Sequence, residues 1–168
     1  NTLMSDLGAS KRHTLPLTPI ITRATLSDLR QVIDLEHRSF EKEDRCSWWS
    51  FIAALVSPSS RLLVAKYGPW VAGHMLVVPD CEYDYANEIF TIAVGLPFRR
   101  RGIAELLIET YAREYADKPV LTLQVRKSNV TAQALYKKLG FEFSEVLAEA
   151  YPNGENGWIY LKTFEDEK

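Results

Sequence analysis

The segment Ile89–Leu107, IFTIAVGLPFRRRGIAELL, constrains what this chain can fold into more than any other. Ile89–Val94 is an apolar run rich in β-branched residues, the pattern of a strand covered on both faces. Further on, Ile103, Leu106, Leu107 and Tyr111 recur at helical spacing as one apolar stripe. Between strand and helix the chain must turn within Gly95–Arg99, and Gly95 and Pro97 are the residues that allow it. The helix is predicted to open on Arg100-Arg101-Gly102-Ile103-Ala104 and to run to about Ala116. Its mouth offers unpaired amides, a favourable dipole, small residues and three arginines, which together suit a pyrophosphate group.

Composition shows that this cluster is local. The 168 residues carry a net charge of −2, so a general affinity for nucleic acid or a membrane surface is not expected. One domain is the natural count, with enough apolar chain for a core. Cys46 and Cys81 lie in no metal-binding spacing. The expectation is free thiols, no metal and a reducing, cytoplasmic location, with no membrane span or signal peptide in view. Residues 1–19 read as a flexible tail and 20–168 as the folded domain. Met4-Ser5 is taken as the native start, with Asn1–Leu3 as an addition.

Around the central segment the other elements follow in order. Ile20–Arg23 reads as a strand, and Thr25 caps a helix whose Leu29, Val32, Ile33 and Phe40 share a face. A second helix spans Trp48–Val56, and Phe40, Trp48, Trp49 and Phe51 are assigned to the core. Arg61–Lys66 and Trp70–Val78 form a hairpin, in which Gly73 marks a bulge or a close backbone approach. His74 reads as an ordinary surface or packed histidine. After the central helix, Val120–Arg126 is a second buried strand, so the three elements form a right-handed βαβ unit. Ser128-Asn129 caps a helix ending at Gly140, and Phe141–Ala150 and Gly157–Phe164 close the chain as two strands around Pro152-Asn153-Gly154. The result is an α/β (α+β) domain, a mixed sheet of about seven strands with helices on both faces.

Two blocks carry a resemblance. Arg99-Arg100-Arg101-Gly102-Ile103-Ala104 fits the R/Q-x-x-G-x-G/A signature of the GCN5-related N-acetyltransferases (GNAT). Asn129, Ala132, Leu135, Tyr136, Gly140 and Phe141 fill every fixed place of that family's N-x-x-A-x-x-L-Y-x-x-x-G-F segment. Asn129 and Tyr136 stand about two helical turns apart and so face the same side. Within the family the chain is most similar to the ribosomal-protein alanine N-acetyltransferases, through Ile92-Ala93-Val94, Val125-Arg126-x-Ser128-Asn129 and Tyr151-Pro152.

The resemblance implies acetyl-CoA as donor, with Arg99–Ala104 at the pyrophosphate and Asn129 at amides of the pantetheine arm. It implies a splayed strand end at Ile92, Ala93 and Val94, the Val94 amide as oxyanion donor, and Tyr136 as the acid that protonates the departing thiolate. The amine attacks directly, without a covalent enzyme intermediate. The base departs from the pattern. These relatives carry a glutamate five residues before the motif asparagine, where this chain has Gln124. Glu88, six residues before Val94, matches the offset of the strand glutamate in histone-type acetyltransferases. Alternation puts it on one face with Phe90, Ile92 and Val94, and Gln124 could hold a water between it and the amine. A glutamate in solvent at the strand's start is the plainer reading of Glu88. Tyr151 either shapes a peptide cleft or packs on Trp158. The expected acceptor is a peptide or protein N-terminus, a ribosomal protein among the candidates. A polyamine or amino sugar, or a non-catalytic acyl-CoA-binding role, are the alternatives. The protein is expected to be a monomer or homodimer.

Overall fold

The computed structural model describes residues 18–164. Most of the tail assigned to 1–19 therefore lies outside the described residues. Seven strands form one sheet: β1 (Ile20–Arg23), β2 (Arg61–Tyr67), β3 (Trp70–Pro79), β4 (Ala86–Val94), β5 (Val120–Arg126), β6 (Glu142–Leu147) and β7 (Gly157–Thr163). Their order is β1-β2-β3-β4-β5-β7-β6, and only β4 and β5 run parallel. The mixed sheet with a single parallel crossover is as expected.

Four helices cover it: α1 (Leu29–Ser39), α2 (Trp48–Val56), α3 (Ile103–Glu114) and α4 (Val130–Lys138). Period-two alternation sends β2's Leu62 and Val64 to a core shared with α1 and α2, and its Leu63 and Ala65 to a larger core under α3 and α4. Leu107, Ile108 and Tyr111 of α3 are fully buried in the larger core, at roughly 1.5–3 kcal/mol for each aliphatic side chain. Among the described residues no helix is long and apolar enough to cross a membrane.

Several boundaries differ from expectation. Arg100 and Gly102 both adopt left-handed backbone (φ 61° and 72°), which an α-helix cannot contain, so α3 begins at Ile103. Phe141–Ala150 shortens to Glu142–Leu147, and Glu149 also has positive φ (51°) where the chain leaves the sheet. Trp48 and Trp49 are not core residues. They stack on each other at 3.7 Å on the exposed side of α2, and Phe51 alone of that helix's three aromatics is buried. Gly73 does mark a close approach: a Cβ there would lie 3.0 Å from the Ala93 carbonyl oxygen and 3.1 Å from the Ile103 side chain. Its absence lets the first turn of α3 sit directly on β3 and β4.

Candidate active site

Parallel pairing of β4 with β5 runs from Ala86↔Val120 to Ile89↔Leu123 and then stops, although both strands continue. Phe90 is a bulge: Val77 of β3 pairs with Ile89, and Leu76 pairs with Thr91. Phe90–Val94 and Gln124–Arg126 consequently present to each other strand edges that do not pair. Between them opens a cavity of about 440 Å³, lined by Glu88, Ile92, Gln124, Asn129, Tyr136 and Tyr151 among others. Six residues picked out in the sequence thus meet in one cleft.

α4 supplies two of them, and its ends are fixed by local chemistry. The Asn129 side-chain oxygen accepts from the Ala132 amide at 3.1 Å, an N-cap that leaves the side-chain NH₂ free to donate. At the other end the Phe141 amide donates to the Tyr136 carbonyl, the Gly140 amide to that of Lys137, and Gly140 takes φ 87°, a Schellman stop. Phe141 then meets the Tyr136 ring edge-on at 5.8 Å. Burial, and after it the Tyr151 phenol, pushes the Tyr136 hydroxyl up to about 12, so it holds its proton at neutral pH.

Glu88 corrects one reading. The bulge at Phe90 breaks the alternation, so Glu88 does not share a face with Ile92 and Val94: those two pack with Ile89 against the α3–α4 core. Nor is Glu88 a freely solvated glutamate. It is half-buried in the cavity wall, and burial, then Asp80 and Glu82, raises its pKa. Gln124 lies against Gly157, where a Cβ would come 3.1 Å from its side chain, and it lines the cavity together with Tyr151. Tyr151 does not pack on Trp158. Its ring lies under the Arg126 guanidinium, 3.9 Å away, and Trp158 packs on Phe143.

Arg126 ties the cleft's far walls together. It grips Asp44 of the α1–α2 loop through two bonds (2.8 and 2.6 Å), and reaches Glu155 (2.9 Å) and Asn153 (3.2 Å) of the β6–β7 loop. Glu155 also accepts from the Ser128 amide at 2.7 Å, which links that loop to the start of α4. Cys46 lines the cavity too, but burial and then Glu36 push its thiol up to about 11, far from a nucleophilic thiolate.

The remaining predicted residues form the β4–α3 turn. A single 3-10 turn, Leu96–Phe98, leads into exposed Arg99, Arg100 and Arg101, and the Arg99 Nε–H donates to the Val94 carbonyl at 3.0 Å. The first α-helical bond of α3 runs from Leu106 to Gly102, so the amides of Ile103, Ala104 and Glu105 have no helical acceptor. These amides, beside two left-handed residues and three arginines, fit an anionic phosphate group.

The model of the Acetyltransferase (GNAT) family matches residues 29–141, from α1 to the end of α4 and just beyond. The chain belongs to this family. It is a GNAT acetyltransferase, as the two motif blocks implied. The N-alpha-acetyltransferase RimI of Mycobacterium tuberculosis is 30% identical over 134 residues, 77% of this chain and 80% of that relative. The ribosomal-protein-S18-alanine N-acetyltransferase of Escherichia coli superposes with a TM-score of 0.74 at 23% identity, over 89% of this chain and 97% of the other. Arabidopsis thaliana NAA60, solved in complex with acetyl-CoA, superposes with a TM-score of 0.76 at 19% identity, over 88% of this acetyltransferase and all of that chain. At these identities the two structures establish the likeness of fold.

Sequence reasoning missed the residues that hold the cleft's walls away from the β4–α3 turn. Asp44, Glu155 and Glu36 sit in no motif and no periodic pattern. Arg126 belonged to a quoted motif, but its partners lie far away in sequence. His74 is packed, as one reading had it, but it also has a carboxyl partner: its Nε2 lies 3.0 Å from Glu36.

Proposed function

We propose that this acetyltransferase transfers the acetyl group of acetyl-CoA to the N-terminal amine of a peptide or protein, by direct attack in a ternary complex. The observation that carries the reading is the parting of β4 from β5. It creates two free strand edges facing one cavity, with a raised-pKa carboxyl and a protonated phenol in its wall. Free strand edges suit ligands that offer amides in extended form, such as the pantetheine arm and a peptide backbone.

In this mechanism Ile103 and Ala104 receive the pyrophosphate on their amides, with Arg99–Arg101 and Gly102 around it, and Asn129 donates its free NH₂ to the pantetheine amides. Glu88 accepts the proton of the incoming ammonium, directly or through a water held by Gln124. Its partial burial moves it toward the pH at which a general base is effective. As nitrogen bonds to the carbonyl carbon, the Val94 amide stabilises the oxyanion. Tyr136 gives its proton to the sulfur as the C–S bond breaks. Tyr151 and Gln124 flank the acceptor. Cys46, protonated and buried, takes no covalent part.

A pH–rate profile of wild type, Glu88→Gln and Tyr136→Phe, with peptide N-termini and polyamines assayed side by side, tests this. Peptide turnover that loses its ascending limb only in Glu88→Gln is the expected result. Preference for a polyamine would move the acceptor to the small-amine class. Acetyl-CoA binding without turnover on any amine would make the chain an acyl-CoA-binding module.

A further inference from the structure

Glu36 is buried to 0% exposure near the C-terminal end of α1, an unusual place for a carboxylate unless something requires it. Three elements donate to it. The Cys46 amide, at the end of the α1–α2 loop, reaches Oε1 at 2.7 Å. The Thr91 hydroxyl of β4 lies 3.0 Å from Oε2 and 3.3 Å from Oε1. His74 of β3, also at 0% exposure, places Nε2 3.0 Å from Oε2, with its ring edge-on to Phe51. Nε2 faces the Glu36 carboxyl and Nδ1 is buried without a partner, so the tautomer with hydrogen on Nε2 is the one that lets the ring donate to Glu36.

Two of these donors border the cleft. Thr91 is the first residue past the Phe90 bulge, and both line the cavity. Cys46 ends the loop whose Phe40, Asp44 and Arg45 line the opposite wall. Arg45 fastens the other end of that loop, donating to the carbonyls of Phe40 (2.9 Å) and His37 (3.0 Å). The bulged strand and the loop thus hang from one carboxylate, while the β4–α3 turn has no bond to it.

We propose that Glu36 is a positioning residue for the acceptor: it sets the separation of the α1–α2 loop from the bulge of β4 and leaves the acetyl-CoA side alone. The inference rests on the proposed N-acetyl transfer, and the test keeps the two apart. Glu36→Gln retains an acceptor for the Cys46 amide but turns a donor toward His74 and Thr91, so the three donors can no longer all be satisfied. Thr91→Val, nearly isosteric, cuts one arm without touching the His74 contact.

The measurements are KM for a peptide acceptor, KM for acetyl-CoA, and amide hydrogen exchange at Cys46. Glu36→Gln should raise the acceptor KM about tenfold, keep the acetyl-CoA KM within about twofold and speed Cys46 exchange at least about tenfold. Thr91→Val should shift the acceptor KM and Cys46 exchange in the same directions by smaller factors. An unmoved acceptor KM with unmoved exchange in a folded variant overturns the proposal, and so does a parallel rise in both KM values. If Glu36→Gln does not fold, Thr91→Val decides alone. If wild type binds acetyl-CoA but acetylates nothing, the transfer reading fails, and the exchange rates still decide whether Glu36 holds the loop.

Discussion

The two sides of the cleft are built in different ways. The side proposed for the donor is one continuous stretch, Gly95–Ala104, and it offers backbone groups: unpaired amides at the start of α3 and two left-handed residues. The side proposed for the acceptor comes from four separated segments, around residues 40–46, 88–92, 123–126 and 150–152, and is held by side chains. Arg126 and Glu36 each collect partners from several of those segments or from neighbouring strands. A backbone-built site needs only a few residue types in fixed order, so it can persist while its surroundings vary. A site built from side chains can be retuned by a residue far from the chemistry. One scaffold can therefore keep its donor and change its acceptor.

The largest effects should come from substitutions in the cleft between the two sides. Glu88→Gln and Tyr136→Phe are each expected to lower kcat by about 10²–10⁴-fold, the range of general acid–base catalysis, with acetyl-CoA affinity unchanged by calorimetry. In the proposed mechanism Glu88 acts as the deprotonated form, and burial raises its pKa, so wild-type activity should climb with pH above the ordinary glutamate range. That limb should vanish in Glu88→Gln. Survival of the limb in the variant would show that another group takes the proton.

Next in size is a test of the donor side alone. Gly102 has φ 72°, and a β-branched residue there pays the left-handed penalty of about 1–2 kcal/mol. Gly102→Val should weaken acetyl-CoA binding about tenfold by calorimetry, while the acceptor KM at saturating acetyl-CoA stays put. Equal damage to both would mean that the two sides are not separable.

The same contrast explains what could be read from the chain. The succession of elements along the chain and the helices on both faces followed from hydrophobic periodicity, and the β4–α3 turn from a six-residue motif, because their determinants are local. The start of α3 was misplaced because helical periodicity begins at Ile103 and says nothing of the left-handed Arg100. The face of Glu88 was misread because a bulge carries no marker when its extra residue is Phe90 instead of glycine. The Glu36–His74 pair joins residues 38 apart, and neither looks unusual until the fold removes both from water.

A smaller change is expected at the acceptor wall. Arg126→Gln removes the two bonds to Asp44 and the cation over Tyr151 without touching the β4–α3 turn. The acceptor KM should rise roughly three- to tenfold, with acetyl-CoA binding unchanged, since a partly exposed ion pair is worth about 1 kcal/mol. No change in either would place the acceptor elsewhere in the cleft.

The smallest effects sit in stability, where Glu88 in the cavity wall and Glu155 in the β6–β7 loop have opposite signs. Hydrogen bonds from the Ser128 side chain and amide, with Arg126 beyond them, depress Glu155 to about 2. A depressed carboxylate stabilises the fold above its unfolded pKa of about 4.5, and that contribution fades as pH falls toward 2. Glu88 is raised, so its contribution is full below the unfolded value and is lost as pH rises through the folded one. At neutral pH, then, Glu155→Gln should lower the urea midpoint and flatten its acid decline, whereas Glu88→Gln should raise the midpoint slightly. A lower midpoint in Glu88→Gln would show that its carboxylate is satisfied in the fold, and a satisfied carboxylate has little reason to take a proton from an amine. A more stable but inactive Glu88→Gln would instead mark it as the strained group of the cleft, kept for chemistry at a cost to the fold.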